Sequence, residues 1–350
     1  MSYIKKPRIL HPQLAPNGIG LSIHDYEGAM STLCAGCGHD SVSAAIIQAF
    51  FELDVEPHRV AKLSGIGCSS KTPTYILRTA HGFNSVHGRM PSIATGANAA
   101  NRELHYIGIS GDGDSLSIGL GQLCHAIRRN VNMLYVIENN GVYGLTKGQF
   151  SASADVGSAA RKGDVNQLQP IDPVVTAIDI GGSFVARGFS GDKRNLVPLI
   201  KAGIMHRGFA LLDVISPCVT FNDHDGSTKS YLHTREAAHT AVYADFIPEK
   251  EEITVKVEKG VTSVMLHDGG QVRLRYVDED YDPTDRGKAV TYVRQHQAKG
   301  EIVTGLLYID DKISDLHEAN DTADTPLVEL DFETLNPGSK ALEEIQKAWG

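Results

Sequence analysis

Residues 105–138 run through a strand (HYIGIS), a Gly-Asp-Gly-Asp turn, a helix (LSIGLGQLCHAIRR) and a second strand (NMLYVIE) with almost nothing between them. Such a βαβ unit commits a chain to a mostly parallel sheet with helices on both faces. The alternation extends both ways. RVAKL (59–63) is a strand candidate before it, and PVVTAIDIG, SFVAR, NLVPLIKAGIMHR and FALLDVIS read as helix, strand, helix, strand after it. SVSAAIIQAFFEL puts Val42, Ala45, Ile46, Ala49, Phe50 and Leu53 on one face at helical spacing, and residues 93–104 form a small-residue helix. The predicted fold class is α/β, a doubly wound parallel sheet over residues 31–235. It is preceded by a Pro- and Gly-punctuated arm (1–30) and followed by a C-terminal extension (236–350). Within the extension, residues 251–276 alternate in strand fashion around Gly turns, which predicts a β-hairpin. A last helix is expected near 339–348.

The bulk properties exclude several classes. A net charge of −9 over 350 residues argues against a nucleic-acid partner. No stretch approaches the roughly 18 apolar residues of a membrane helix. The N-terminal MSYIKKPRILHPQLAPNGIG lacks an apolar h-region, so no secretory signal is expected. Five cysteines in so long a chain do not make a secreted disulfide framework. A cytoplasmic protein without membrane or nucleic-acid partners is expected.

In an open α/β sheet, ligands bind at the carboxyl ends of strands, which directs attention to the turns after Leu63, Ser110, Glu138 and Ser216. Gly111-Asp112-Gly113 follows a strand and opens a helix, a geometry that offers backbone N–H groups to an anion. Asp112 adds the carboxylate that Mg²⁺ takes alongside phosphate oxygens. Asn139-Asn140 ends the next strand about twenty-five residues on. One crossover places the two strand ends side by side, so Asp112 and an Asn side chain can meet on one cation. This Gly-Asp-Gly, Asn-Asn pair resembles the diphosphate-binding signature of thiamine-diphosphate enzymes. The resemblance implies Mg²⁺ on Asp112, Asn140 and the main-chain oxygen of Val142, with Gly113, Gly144 and Leu145 bordering the cofactor. It also implies a missing half: no second module of similar size is present to activate the cofactor, so a heteromer is expected.

Cys34 and Cys37 form a C-x-x-C pair, while Cys68 and Cys218 each follow a predicted strand. Four thiolates so placed form a chelate pattern that fits a [4Fe–4S] cluster or Zn²⁺, and spacing alone does not separate the two. Cys124 lies among apolar neighbours in a helix and reads as a buried structural thiol. A thiamine site beside a cluster would suit oxidative decarboxylation by one-electron steps. A thiamine protein with structural zinc and a non-catalytic electron-transfer scaffold are the rival readings.

The motifs CAGCGH (34–39), SGIGCSSK (64–71), HGR (87–89), GDGDSLSIGLGQLCHAIRRN (111–130), NNGVYGLTKGQ (139–149) and SPC (216–218) together resemble the β subunits of 2-oxoacid:ferredoxin oxidoreductases, most of all the 2-oxoglutarate type. The likeness covers about residues 30–235. It implies a fold of the thiamine-diphosphate-binding type. It also implies a [4Fe–4S] cluster on Cys34, Cys37, Cys68 and Cys218, and cofactor contacts from Ile66, Gly67, Cys68, Ser69, His87, Gly88 and Arg89. The implied partners are an α subunit that completes the site, in an αβ heterodimer or (αβ)2, with ferredoxin as electron acceptor and 2-oxoglutarate and coenzyme A as substrates. Pyruvate or other 2-oxoacids are the alternative substrates. Two departures stand out. Ala35 replaces the proline of the family's first motif, and Phe150-Ser151-Ala152-Ser153 stands where the family often has Ser-Pro-Thr.

Lys71 and Lys147 fall on loops predicted to converge above the diphosphate, where a lysine can bind a carboxylate through a charge-assisted hydrogen bond. By the resemblance, Lys71 touches the 2-oxo-carboxylate end of the substrate and Lys147 the distal carboxylate of a dicarboxylic oxoacid.

Overall fold

The computed structural model describes residues 15–158, 164–219, 253–255, 260–265 and 271–349. Residues 1–14 of the arm predicted for residues 1–30 and the tip of the predicted hairpin lie outside these ranges. The strands are β1 (Val60–Ser64), β2 (His81–Asn84), β3 (His105–Gly111), β4 (Met133–Asn139), β5 (Val142–Tyr143), β6 (Gln149–Phe150), β7 (Phe184–Phe189), β8 (Phe209–Ile215), β9 (Val261–Met265), β10 (Gln271–Tyr276) and β11 (Ile302–Ile309). Nine of them form one sheet in the order β2-β1-β3-β4-β8-β7-β11-β10-β9, and β5 with β6 makes a separate two-stranded ribbon. From β2 to β7 every pairing is parallel. β11 then pairs antiparallel with β7, and β9 antiparallel with β10.

The helices are α1 (Gly38–Glu52), α2 (Thr72–Tyr75), α3 (Met90–Ala100), α4 (Leu120–Arg128), α5 (Pro173–Asp179), α6 (Lys193–Met205), α7 (Arg286–Gln297), α8 (Leu316–Asn320), α9 (Phe332–Leu335) and α10 (Gly338–Trp349). They cover both faces. On one, Ile46 and Phe50 of α1 and Leu196 and Ile200 of α6 pack onto Leu134 and Val136 of β4. On the other, Met90 of α3, Leu123 of α4, Val174 of α5 and Val293 of α7 pack onto Tyr135 and Ile137 of the same strand. The alternation of β4 residues between two cores is what a strand buried on both faces requires. The predicted apolar face of α1 is the face that is buried.

Three features differ from expectation. A six-residue π-helical turn, Gly113–Ile118, intervenes between the Gly-Asp-Gly turn and α4. Such wide turns recur at functional sites. β2 and β11 were not anticipated. β2 is a short exposed edge with glycine in it. β11 is an apolar run inside the C-terminal extension, and it carries the C-terminal hairpin onto the main sheet. Cys124 is half-buried rather than buried, because the packed stripe of α4 runs through Leu123, Ala126 and Ile127 beside it.

Candidate active site

From β1 the chain crosses to β2 on one flank, and from β3 to β4 on the other. That reversal opens a crevice above the carboxyl ends of the strands, where a cleft lies. Of the residues singled out from sequence, Ile66, Gly67, Cys68, Ser69, Asp112, Gly113, Asn140, Val142 and Gly144 line it.

Asp112 is buried at its floor. The Gly141 N–H donates to its Oδ2 at 3.0 Å and the Ser153 hydroxyl at 2.6 Å. The Ser151 hydroxyl donates to the same oxygen. Among the described residues Oδ1 has only a long contact of 3.5 Å with the Asn140 N–H. One carboxylate oxygen is thus pinned by three donors and the other is left with acceptor capacity, as ligation of a cation requires. The Asn140 side-chain oxygen accepts from the Val142 N–H at 3.1 Å, which turns the three expected Mg²⁺ ligands around one corner. Gly113 permits the close packing there, since a Cβ would stand 2.5 Å from the Tyr143 ring. The Tyr143 hydroxyl donates to the Gly113 carbonyl at 2.7 Å. The residues present therefore fit Mg²⁺ and a diphosphate.

Asp114 fastens the surrounding loops. It accepts from the Gly88 N–H at 2.6 Å, the Ser110 hydroxyl at 2.8 Å and the Ile66 N–H at 3.3 Å. Gly88 is thereby tied to the site from a loop with φ +67°, whereas His87 and Arg89 are exposed and do not line the cleft. Leu145 and Lys147 are also exposed, on the turn joining β5 to β6. Lys147 has φ +79°, a left-handed conformation that strains an L-residue. Lys71 is half-buried and close enough to Cys68 to draw its thiol downward.

The four cysteines converge beside this cleft. Burial pushes the Cys37 thiol well above its usual range, a His39 backbone N–H opposes this, and Cys218 raises it further. Burial likewise pushes the Cys68 thiol up to about 11, with Cys218 and then Cys34 adding to it. Gly36 (φ +77°) and Gly67 (φ +85°) shape the two loops that present Cys37 and Cys68. Four buried or half-buried thiols on three segments, with Cys34 packed against the cluster of Phe189, Ile215 and Val219, fit an iron–sulfur cubane. Among the described residues no three His, Cys, Asp or Glu side chains stand close enough to hold a single metal ion.

Several site residues escaped the sequence reading. Glu138 and His39 line the cleft. Burial drives the Glu138 carboxyl well above the carboxylate range, against the hydrogen bond from Thr72, and pulls His39 down to about 4. A glutamate ending the apolar strand LYVIE was the available signal for the first. Ser151 and Ser153 lay in the departure at 150–153, where their hydroxyls reach Asp112.

The family described as "Thiamine pyrophosphate enzyme, C-terminal TPP binding domain" matches residues 65–214. That span holds the Asp112 and Asn140 motifs and Cys68 and leaves the other three converging cysteines outside. The β subunit of the 2-oxoacid:ferredoxin oxidoreductase of Saccharolobus solfataricus is 39% identical over 243 residues, 66% of this chain and 76% of the relative. The 2-oxoglutarate oxidoreductase subunit KorB of Mycobacterium tuberculosis is 40% identical over 191 residues, 54% of this chain and 51% of the relative. A solved 2-oxoglutarate:ferredoxin oxidoreductase from Magnetococcus marinus, with 2-oxoglutarate, coenzyme A and succinyl-CoA bound, superposes with a TM-score of 0.69 at 29% identity, covering 89% of this chain and 94% of that one.

Proposed function

This chain belongs to the β subunits of the 2-oxoacid:ferredoxin oxidoreductases, and on that premise we propose that it holds thiamine diphosphate, Mg²⁺ and a [4Fe–4S] cluster for the conversion of 2-oxoglutarate, coenzyme A and oxidised ferredoxin to succinyl-CoA, CO₂ and reduced ferredoxin, or the reverse. The observation that carries the proposal is the buried Asp112, pinned through Oδ2 and open at Oδ1 beside Asn140.

Asp112, the Asn140 side-chain oxygen and the Val142 carbonyl would hold Mg²⁺, and Ile66, Gly67, Ser69, Gly113 and Gly144 would border the diphosphate. Cys34, Cys37, Cys68 and Cys218 would ligate the cluster. When bound, thiamine diphosphate supplies the carbanion that cleaves the bond between the 2-oxo carbon and its carboxylate, and the cluster accepts the electrons singly. Lys71, half-buried beside Cys68, would orient the 2-oxo-carboxylate. Lys147 would hold the distal carboxylate of 2-oxoglutarate, and His87, Arg89 and Leu145 would meet the cofactor from the rim. In this reading residues 31–235 are the cofactor-holding unit, 1–30 an arm and 236–350 an extension. The chain works in the cytoplasm with an α subunit, as αβ or (αβ)2.

The test is ferredoxin reduction by the chain co-expressed with its α partner under anaerobic conditions. Turnover with 2-oxoglutarate well above that with pyruvate, dependent on coenzyme A, is expected. Equal turnover would remove the substrate assignment, and a colourless protein without absorbance near 400 nm would remove the cluster.

A further inference from the structure

The three segments that bear the converging cysteines also bear three buried polar side chains to which the chemistry above gives no role. His39 stands two residues after Cys37, Thr72 four after Cys68, and Ser216 two before Cys218. Each is exposed by 1% or less, and they gather around Glu138, which is fully buried at the end of β4. The Thr72 hydroxyl donates to this carboxyl, 3.0 Å and 3.1 Å from its two oxygens. His39 Nε2 is 3.8 Å from Glu138 Oε2, and His39 Nδ1 is 2.6 Å from Ser216 Oγ. The Ser216 N–H closes the group by donating to the Asn139 carbonyl at 2.8 Å. Gly38 allows the approach, because a Cβ there would stand 2.6 Å from the Ser216 hydroxyl.

A carboxyl buried without a cation is costly, and among the described residues the ion-pairing contact of Glu138 is with His39 alone. The strand leading to it, Met133 to Ile137, is apolar, and an aliphatic side chain would cost less at that position. The carboxyl is therefore retained for what it touches, and what it touches leads to all three cysteine-bearing segments.

We propose that Glu138 is a positioning residue, the common anchor through which Thr72, His39 and Ser216 set the spacing of the three cysteine-bearing segments and so the seating and potential of the cluster. The proposal rests on the cluster reading above. Groups just behind the ligands orient them and tune a cluster through hydrogen bonding and local polarity.

The test uses the anaerobically purified αβ complex, with iron and sulfide analysis and an EPR-monitored redox titration. Glu138→Leu and Thr72→Val are expected to lose most of their iron on desalting and to shift the midpoint potential of what remains. Glu138→Gln, which keeps the shape and an acceptor for Thr72, is expected to restore the iron content. Full iron and an unmoved potential in Glu138→Leu and Thr72→Val would overturn the proposal. If Glu138→Leu fails to assemble, Thr72→Val and Glu138→Gln decide alone. A lowered melting temperature with unchanged potential would mark a merely structural role and overturn it as well. Wild-type complex lacking iron and sulfide would overturn the cluster reading and this inference together, whereas loaded wild type with indifferent variants would sink this inference only.

Discussion

Lys147 holds a left-handed backbone conformation (φ +79°) that costs an L-residue about 1–2 kcal/mol and that glycine adopts freely. Lys147→Gly should therefore leave the melting temperature unchanged or raise it. If the ammonium binds the distal carboxylate, the same change should lower kcat/KM for 2-oxoglutarate about 10- to 100-fold, the worth of a charge-assisted hydrogen bond, and spare pyruvate. Equal losses on both substrates would argue for a structural turn residue. Lys62 offers a pH test away from the cleft. Its ammonium is buried against the carbonyls of Ile76 and Leu77, at 2.6 Å and 2.9 Å, and burial lowers its pKa from 10.5 to about 8. Between those values the unfolded chain keeps a proton that the folded chain has released, so stability from this group rises with pH across pH 8–10.5 and is lost as pH falls through 8. Unfolding titrations of the wild type and Lys62→Met should diverge in favour of the wild type over that window; a constant difference would contradict the assignment.

Elements were legible where one physical signal dominated. The βαβ alternation from β3 to β8 is written in apolar runs that the sheet buries on both faces, and the Gly-Asp-Gly and Asn-Asn turns fall where strands must end. The loop after β6 was noticed only as a departure, yet Ser151 and Ser153 supply two of the three donors on Asp112 Oδ2. Nothing in a Ser-Ala-Ser string reveals a partner some forty residues earlier. Replacing both serines with alanine should weaken Mg²⁺-dependent thiamine diphosphate binding about tenfold by calorimetry, one or two lost hydrogen bonds to a charged group. Unchanged affinity would show that Gly141 alone orients the carboxylate. Arg187 was equally hidden. It spans the end of the sheet from β7, with Nε 2.7 Å from Asp213 on β8 and a second nitrogen 2.7 Å from Asp172 at the start of α5. Removing one member of such a buried set strands the others, so Arg187→Met should cost about 3–5 kcal/mol in denaturant unfolding. A loss below about 1 kcal/mol would mean that the two carboxylates are hydrated or protonated in the fold.

At the scale of the molecule, the parallel sheet and the crevice at its reversal follow from connectivity rules that the sequence displays. What it did not display is long-range: β11, an apolar run inside the C-terminal extension, joining β7; the C-terminal hairpin extending the same sheet; and Glu138 gathering side chains from three distant segments. Each depends on which residues meet rather than on any local pattern. The whole also explains why one chain is insufficient, since the described residues build one thiamine-type module and the cofactor needs a second surface. The measurement that reaches the central claim is the anaerobic EPR spectrum of the chain co-expressed with its α partner, recorded before and after 2-oxoglutarate and coenzyme A. A signal of a reduced [4Fe–4S] cluster that appears only with both substrates and is absent in Cys68→Ser is expected. A colourless, EPR-silent protein that still binds thiamine diphosphate would contradict it.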